Sequence, residues 1–114
     1  MKMSKKDFRV YLDDILSAIL RIEEYTKRGK DVFLCDEMMQ DAVLRQLSIV
    51  GEAASKLTPP LKAKNPEIPW KDIIGMRNII VHEYSEVKIG KIWDTVKLDL
   101  PLLKEIVMRM LKAL

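Results

Sequence analysis

The sequence predicts an all-α protein, an antiparallel bundle of four main helices with a short extra helical turn. Three observations carry that prediction. Apolar residues recur at spacings of three and four through most of the chain. Helix-stopping signals divide those stretches: Gly29, then Thr58-Pro59-Pro60, then the break at residues 85–88. No alternating apolar–polar run and no hairpin turn signal occurs in the 114 residues.

The first helix opens at Ser4, which with Asp7 makes a capping box with a shorter acid. Phe8, Tyr11, Leu12, Ile15, Ile19, Ile22 and Tyr25 form its apolar stripe, and Gly29 follows Lys27 and Arg28 as a basic ending. Residues 31–35 predict a single turn tucked against the core. Asp36 caps the second long helix, whose buried face runs from Met39 through Val43, Gln46, Leu47, Val50 and Ala54 to Leu57. Gly51 lies inside that helix, where it costs about 1 kcal/mol against alanine. Close approach by another helix accounts for such a glycine better than a break does.

Residues 61–68 read as a loop with a single turn. Pro69 then opens a third, shorter helix, because its missing N–H would be unpaired in a first turn anyway. Its apolar residues suit packing on more than one side. The last helix carries Ile89, Ile92, Trp93, Val96, Leu100, Leu103, Ile106, Val107, Met110 and Leu114, with Pro101 predicting a kink.

Composition narrows the classes. At 48% hydrophobic and 32% charged residues the chain is globular rather than disordered, and 1–114 reads as one domain. Charges interrupt every long apolar run, so no membrane span is expected. The basic start Met1-Lys2-Met3 leads into an amphipathic helix and not a signal peptide, which predicts a cytoplasmic protein. The single cysteine, Cys35, rules out an internal disulfide and reads as a small buried residue. The seven methionines, Trp70 and Trp93 read as packing. Asp36, Glu37 and Asp41 lie close together, but one is a cap and no histidine is near, so solvated acids are expected and no metal. With no glycine-rich phosphate loop either, no cofactor is expected. A net charge of +3 permits an anionic partner without requiring one.

The third helix carries the chemistry. It holds the protein's one histidine, His82, with Arg77 five positions before it, Asn78 four before, and Tyr84 two after. At 100° per residue, Arg77 and Tyr84 lie roughly 20° apart on one stripe, and Asn78 and His82 about 40° apart on a neighbouring one. Arg77 and His82 are roughly 140° apart, so on one straight helix they do not aim at one spot. Either the helix ends near His82 and frees its ring, or a second copy of the chain completes the site.

These residues resemble the motif of HEPN domains, specifically the HepT-like toxin ribonucleases of prokaryotes: Arg77, four residues, His82, one residue, Tyr84. The likeness extends over Asp14-Ile15-Leu16, Arg21-Ile22-Glu23-Glu24-Tyr25-Thr26, Gln40-Asp41-Ala42-Val43 and Ile49-Val50-Gly51-Glu52-Ala53-Ala54. It continues through Pro66-Glu67-Ile68-Pro69-Trp70, Ile74-Gly75-Met76-Arg77-Asn78, and Trp93 with Asp99-Leu100-Pro101. The resemblance implies a HEPN-like helical homodimer that cleaves RNA without a metal, with Arg77 and His82 catalytic and Asn78 in support. It also implies an MntA-like nucleotidyltransferase antitoxin that transfers AMP to Tyr84 and silences the toxin.

The chemistry of these side chains is consistent with that activity. RNA carries its own nucleophile, the 2′-hydroxyl. An imidazole can move protons near neutrality, and a guanidinium fork fits phosphate oxygens. One histidine per chain means that a paired acid and base requires a dimer, or else water or Arg77 in the second role. An AMP group on Tyr84, sharing a stripe with Arg77, would be expected to neutralise its guanidinium. Lys56, Lys62, Lys64 and Lys71 flank the site helix and are candidate contacts to RNA backbone, with a solvated loop as the alternative. The rival reading of the whole chain is a non-catalytic helical binding module that docks a nucleotidyltransferase or nucleotide. On that view His82 caps a helix end, Arg77 makes an ion pair and Tyr84 edges the core.

Overall fold

The first helix, α1 (Lys5–Thr26), starts at its expected cap in a computed structural model that describes residues 4–114. The Ser4 hydroxyl accepts from the Asp7 N–H, and the Asp7 carboxylate accepts from the Ser4 N–H, each at 3.2 Å. Leu12, Ile15, Ala18, Ile19 and Ile22 are buried. Gly29, at φ +98°, supplies the left-handed turn into α2 (Lys30–Cys35) that a side chain would strain. Phe33 of α2 is fully buried, its ring 5.4 Å from that of Trp93. Two residues further round the helix, Cys35 is on the opposite side and exposed, not buried as expected.

Asp36 caps α3 (Glu37–Ser55) through Oδ1, which accepts from the Met39 N–H at 3.0 Å. Val43, Leu44, Gln46, Leu47, Val50, Ala53 and Ala54 form its buried face. The single turn in the following connection is α4 (Pro59–Ala63). Trp70 opens α5 (Trp70–His82) and fastens that connection, its indole N–H shared between the carbonyls of Lys62 at 3.1 Å and Asn65 at 3.0 Å.

A 3₁₀ turn (Tyr84–Glu86) leads to α6 (Ile89–Asp94), which continues without a break through a π turn (Thr95–Asp99) into α7 (Leu100–Ala113). The π turn takes the place of the simple kink expected at Pro101. Proline has no N–H to give and crowds the turn before it, and a widened turn, closed by the Leu100 N–H on the Thr95 carbonyl, relieves both. Four main helices therefore stand, α1, α3, α5 and the α6–α7 run, and no strand occurs among the described residues. None of these helices is long and apolar enough to cross a membrane.

The order of packing is α7 on α1, α1 on α3, and α3 on α5. Arg9 meets the Leu111 carbonyl and Glu23 meets Lys104, so α1 and α7 run antiparallel. Arg77 meets Glu52 and Tyr84 meets Asp41, so α5 and α3 do too.

Two expectations of burial are corrected. The site helix α5 leaves one face open: Trp70, Ile73 and Ile80 are buried and Ile74 and Met76 pack against the core to either side, whereas Ile79 and Val81 are exposed. Of the methionines, Met39, Met76 and Met110 pack against the core, but Met38 and Met108 face solvent. Met1 and Met3 lie outside the described residues.

Gly51 is where α3 and α5 touch. A Cβ there would overlap the Cβ of Arg77 and lie 3.1 Å from the Ile73 carbonyl oxygen. Gly51→Ala should therefore lower unfolding stability in urea by about 1–3 kcal/mol, despite alanine's better helix propensity.

Asp99, half-buried in the π turn, has its carboxyl held above the ordinary range by burial and then by the nearby charge of Asp72. A raised carboxyl favours the fold below its unfolded pKa and loses that advantage as pH rises through the folded value. Asp99→Asn should thus raise Tm at pH 7, with the gain gone near pH 3; a gain that persists in acid would contradict this.

Candidate active site

The outward face of α5 is set by what its inward face must do. Ile73 and Ile80, seven apart, hold the helix on α3, with Arg77 midway between them at the edge of the contact. Asn78 and His82 fall roughly opposite that contact and both are exposed. Exposed Ile79 and Val81 flank them. His82 is the last residue of α5, and the backbone then departs from helix at Glu83, with φ −137° and ψ 50°.

The Arg77 guanidinium is engaged on two sides. One terminal nitrogen donates to Asn78 Oδ1 at 2.9 Å, and the other lies 3.1 Å from Glu52 Oε2. The Arg77 side chain is 27% exposed and that of Glu52 48%, so the pair is reachable from solvent. Beside it runs a shallow groove of about 300 Å³ between α1, α3 and α5, lined by Asp14, Arg45, Ser48, Lys56 and Val81 among others. Lys56 also pairs with Glu52, at 3.7 Å.

The other candidate lysines are elsewhere. Lys64 is exposed at the end of α4, and Lys62 is half-buried where its carbonyl receives Trp70. Lys71 borders a larger groove, about 740 Å³, on the other flank of α5 with Met76, Ile79, Lys88 and Lys91. Neither Arg77 nor His82 lines that larger groove. Of the four lysines only Lys56 shares the groove of Arg77.

Tyr84 does not continue the Arg77 stripe. Because α5 ends at His82, the phenol turns back to α3, where its hydroxyl donates to Asp41 Oδ1 at 2.7 Å. That bond, with the negative charges of Asp41 and Glu37 close by, holds the phenol above its ordinary range, so it keeps its proton at neutral pH. Asp41 and Glu52 are eleven residues apart on α3, about 16 Å at 1.5 Å per residue. A phosphate attached to Tyr84 in this conformation would therefore not lie on Arg77, contrary to the single-stripe expectation.

Sequence reasoning left Glu52, Arg45 and Asp41 without a role in the site. The signal that could have found them is a polar stripe down α3: Asp41, Arg45, Ser48, Glu52 and Lys56 lie within about 80° of one another. A polar line of that length on an otherwise packed helix marks where a neighbour brings polar groups. Here Tyr84 arrives at one end and Arg77 near the other. Asp36 and Asp41 are occupied as a cap and as the acceptor of Tyr84, and no metal-holding group of side chains occurs among the described residues.

The chain matches the family model described as Ribonuclease HepT-like over residues 15–110. A probable ribonuclease HepT of Thermococcus cleftensis is 45% identical over 105 residues, covering 91% of this chain and 93% of the relative. A Methanocaldococcus jannaschii protein named as a candidate RNase is 37% identical over 104 residues, covering 90% and 95%. A longer protein of the same organism, whose name joins a gamma-glutamylcyclotransferase to a candidate RNase, is 40% identical over 111 residues. That alignment takes in 96% of this chain, which spans about half the length of that relative. No solved structure matches. With the arginine and histidine on the one half-open helix and the match running almost end to end, the chain belongs to the Ribonuclease HepT-like family.

Proposed function

We propose that the chain is a single-domain toxin ribonuclease that works as a homodimer. In this reading it cleaves RNA by internal attack of a 2′-hydroxyl on the adjacent phosphodiester. The carrying observation is that α5 holds His82 and Asn78 on a free outward face, flanked by exposed Ile79 and Val81. Two such faces packed together would hide the apolar residues and bring four groups into one cleft: two imidazoles and two guanidinia.

The chemistry then divides between residue types. One His82 takes the proton of the 2′-hydroxyl as that oxygen attacks phosphorus. The second His82 gives a proton to the departing 5′-oxygen. Arg77 steadies the charge that gathers on the non-bridging oxygens, held towards them by Asn78. Because the nucleophile belongs to the substrate, no metal is needed to generate one. Lys56 and Arg45 border the groove beside Arg77 and would hold the flanking backbone. Control is by an MntA-like nucleotidyltransferase that transfers AMP to Tyr84, which is exposed and accessible to a second protein.

A second reading, a binding module without catalysis, draws on the Arg77–Glu52 pair, which already occupies part of the guanidinium. Expression tests one against the other. The ribonuclease reading predicts growth arrest, relieved by Arg77→Ala or by His82→Ala. For each variant the rate of RNA cleavage should fall at least about 100-fold. Circular dichroism and sedimentation should be unchanged, since His82 is exposed and Arg77 partly so. A wild type that leaves cellular RNA intact while still binding the nucleotidyltransferase would favour the binding module.

A further inference from the structure

The turn that follows His82 is joined to α5 by the Glu83 N–H on the Ile79 carbonyl at 2.8 Å and to the core by Val87, and few hydrogen bonds hold it otherwise. Inside it, the Glu86 N–H bonds to the Glu83 carbonyl at 2.8 Å and the Val87 N–H to that of Tyr84 at 3.1 Å. Neither bond leaves the turn. Among the described residues, the side-chain hydrogen bond that ties this segment to the body of the protein is Tyr84 to Asp41, across 43 residues of sequence. His82 stands two residues before Tyr84, at the end of α5, with no side-chain hydrogen bond of its own in the described structure.

We propose that Asp41 is a positioning residue for His82: by accepting the Tyr84 hydroxyl it docks the turn behind α5 onto α3 and so fixes where the imidazole points. A negative group on the Tyr84 oxygen reverses this. That second half rests on the reading of Tyr84 as the site of AMP transfer. The transfer forms a bond from the tyrosyl oxygen to the α-phosphorus of ATP and breaks the bond to the β-phosphate. Pyrophosphate leaves, and the phenolic proton goes to water. The product has lost the donor that Asp41 accepted. It carries a phosphodiester charge facing the carboxylates of Asp41 and Glu37, and like charges at that range repel. The modified turn has to leave α3, and His82 moves with it. Silencing would then come from a misplaced imidazole rather than from a neutralised Arg77, which sits beside Glu52 further along α3.

The one histidine makes this measurable, because an untagged full chain gives a single imidazole Hε1 resonance by NMR. Tyr84→Phe and Asp41→Ala should each move that resonance to the same new position, and the double variant should move it no further. Asp41→Asn, which keeps an amide oxygen to accept the phenol, should leave it near the wild-type position. Tyr84→Glu, which places a carboxylate opposite Asp41, should shift it at least as far as Tyr84→Phe. In cleavage assays Tyr84→Phe and Asp41→Ala should lose roughly ten- to a hundredfold in kcat with little change in KM, as a displaced catalytic group would. A wild-type imidazole signal in Asp41→Ala, or in Tyr84→Glu, would overturn the proposal. The resonance is read without RNA or a partner, so absence of cleavage by the wild type would count against the ribonuclease reading and leave this one standing.

Discussion

The arrangement depends on the contact between α3 and α5 at Gly51. There the two backbones lie so close that the space of one methyl group is already filled by the Cβ of Arg77. Glycine inside a helix weakens it by about 1 kcal/mol, and the approach it allows is what offsets that cost. Once the register is set at this point, antiparallel geometry brings Arg77 beside Glu52 and carries Tyr84 down to Asp41. The site helix is thus pinned at its middle by packing and near each end of its polar span by a carboxylate of α3. Its opposite face is left free.

Glu52 need not compete seriously with a substrate phosphate. The pair is half open to solvent, and exposed ion pairs are worth only about 0–1 kcal/mol. A phosphate offers the same forked acceptor geometry with more charge. Two of the guanidinium's nitrogens are engaged, one by Glu52 and one by Asn78, which fixes its plane before any ligand arrives. Such orientation reduces the ordering that binding would otherwise require. The imidazole, by contrast, has no side-chain hydrogen bond in the described structure and is placed by the end of α5 and the turn behind it. The two catalytic candidates are therefore set up differently, the cation by direct partners and the base at one remove.

Much of this was legible in the sequence, because it depends on local rules. The Ser4–Asp7 box, the Asp36 cap, the glycine turn at 29 and the apolar stripes all appear where periodicity and capping chemistry place them. Gly51 even announced a close helix contact, though not which helix made it. What could not be read was anything set by the end of α5. A straight helix through residue 84 puts Tyr84 beside Arg77; stopping it at His82 sends the phenol to Asp41 instead. The exposure of Cys35 and the open flank of α5 were also illegible. Apolar composition gives how much surface wants covering, not whether the chain itself or another copy covers it.

Cleavage as proposed draws on both imidazoles of a dimer at once, one as base and one as acid. Mixing wild-type protein with an equal amount of His82→Ala protein, under conditions where subunits exchange, tests this directly. Random exchange puts half of the wild-type chains into mixed dimers, which hold a single imidazole because each chain has one histidine. The rate of RNA cleavage should therefore fall to about half its value before mixing. A rate that stays unchanged, with exchange demonstrated, would show that each chain cuts RNA with its own arginine and histidine and would contradict the shared cleft.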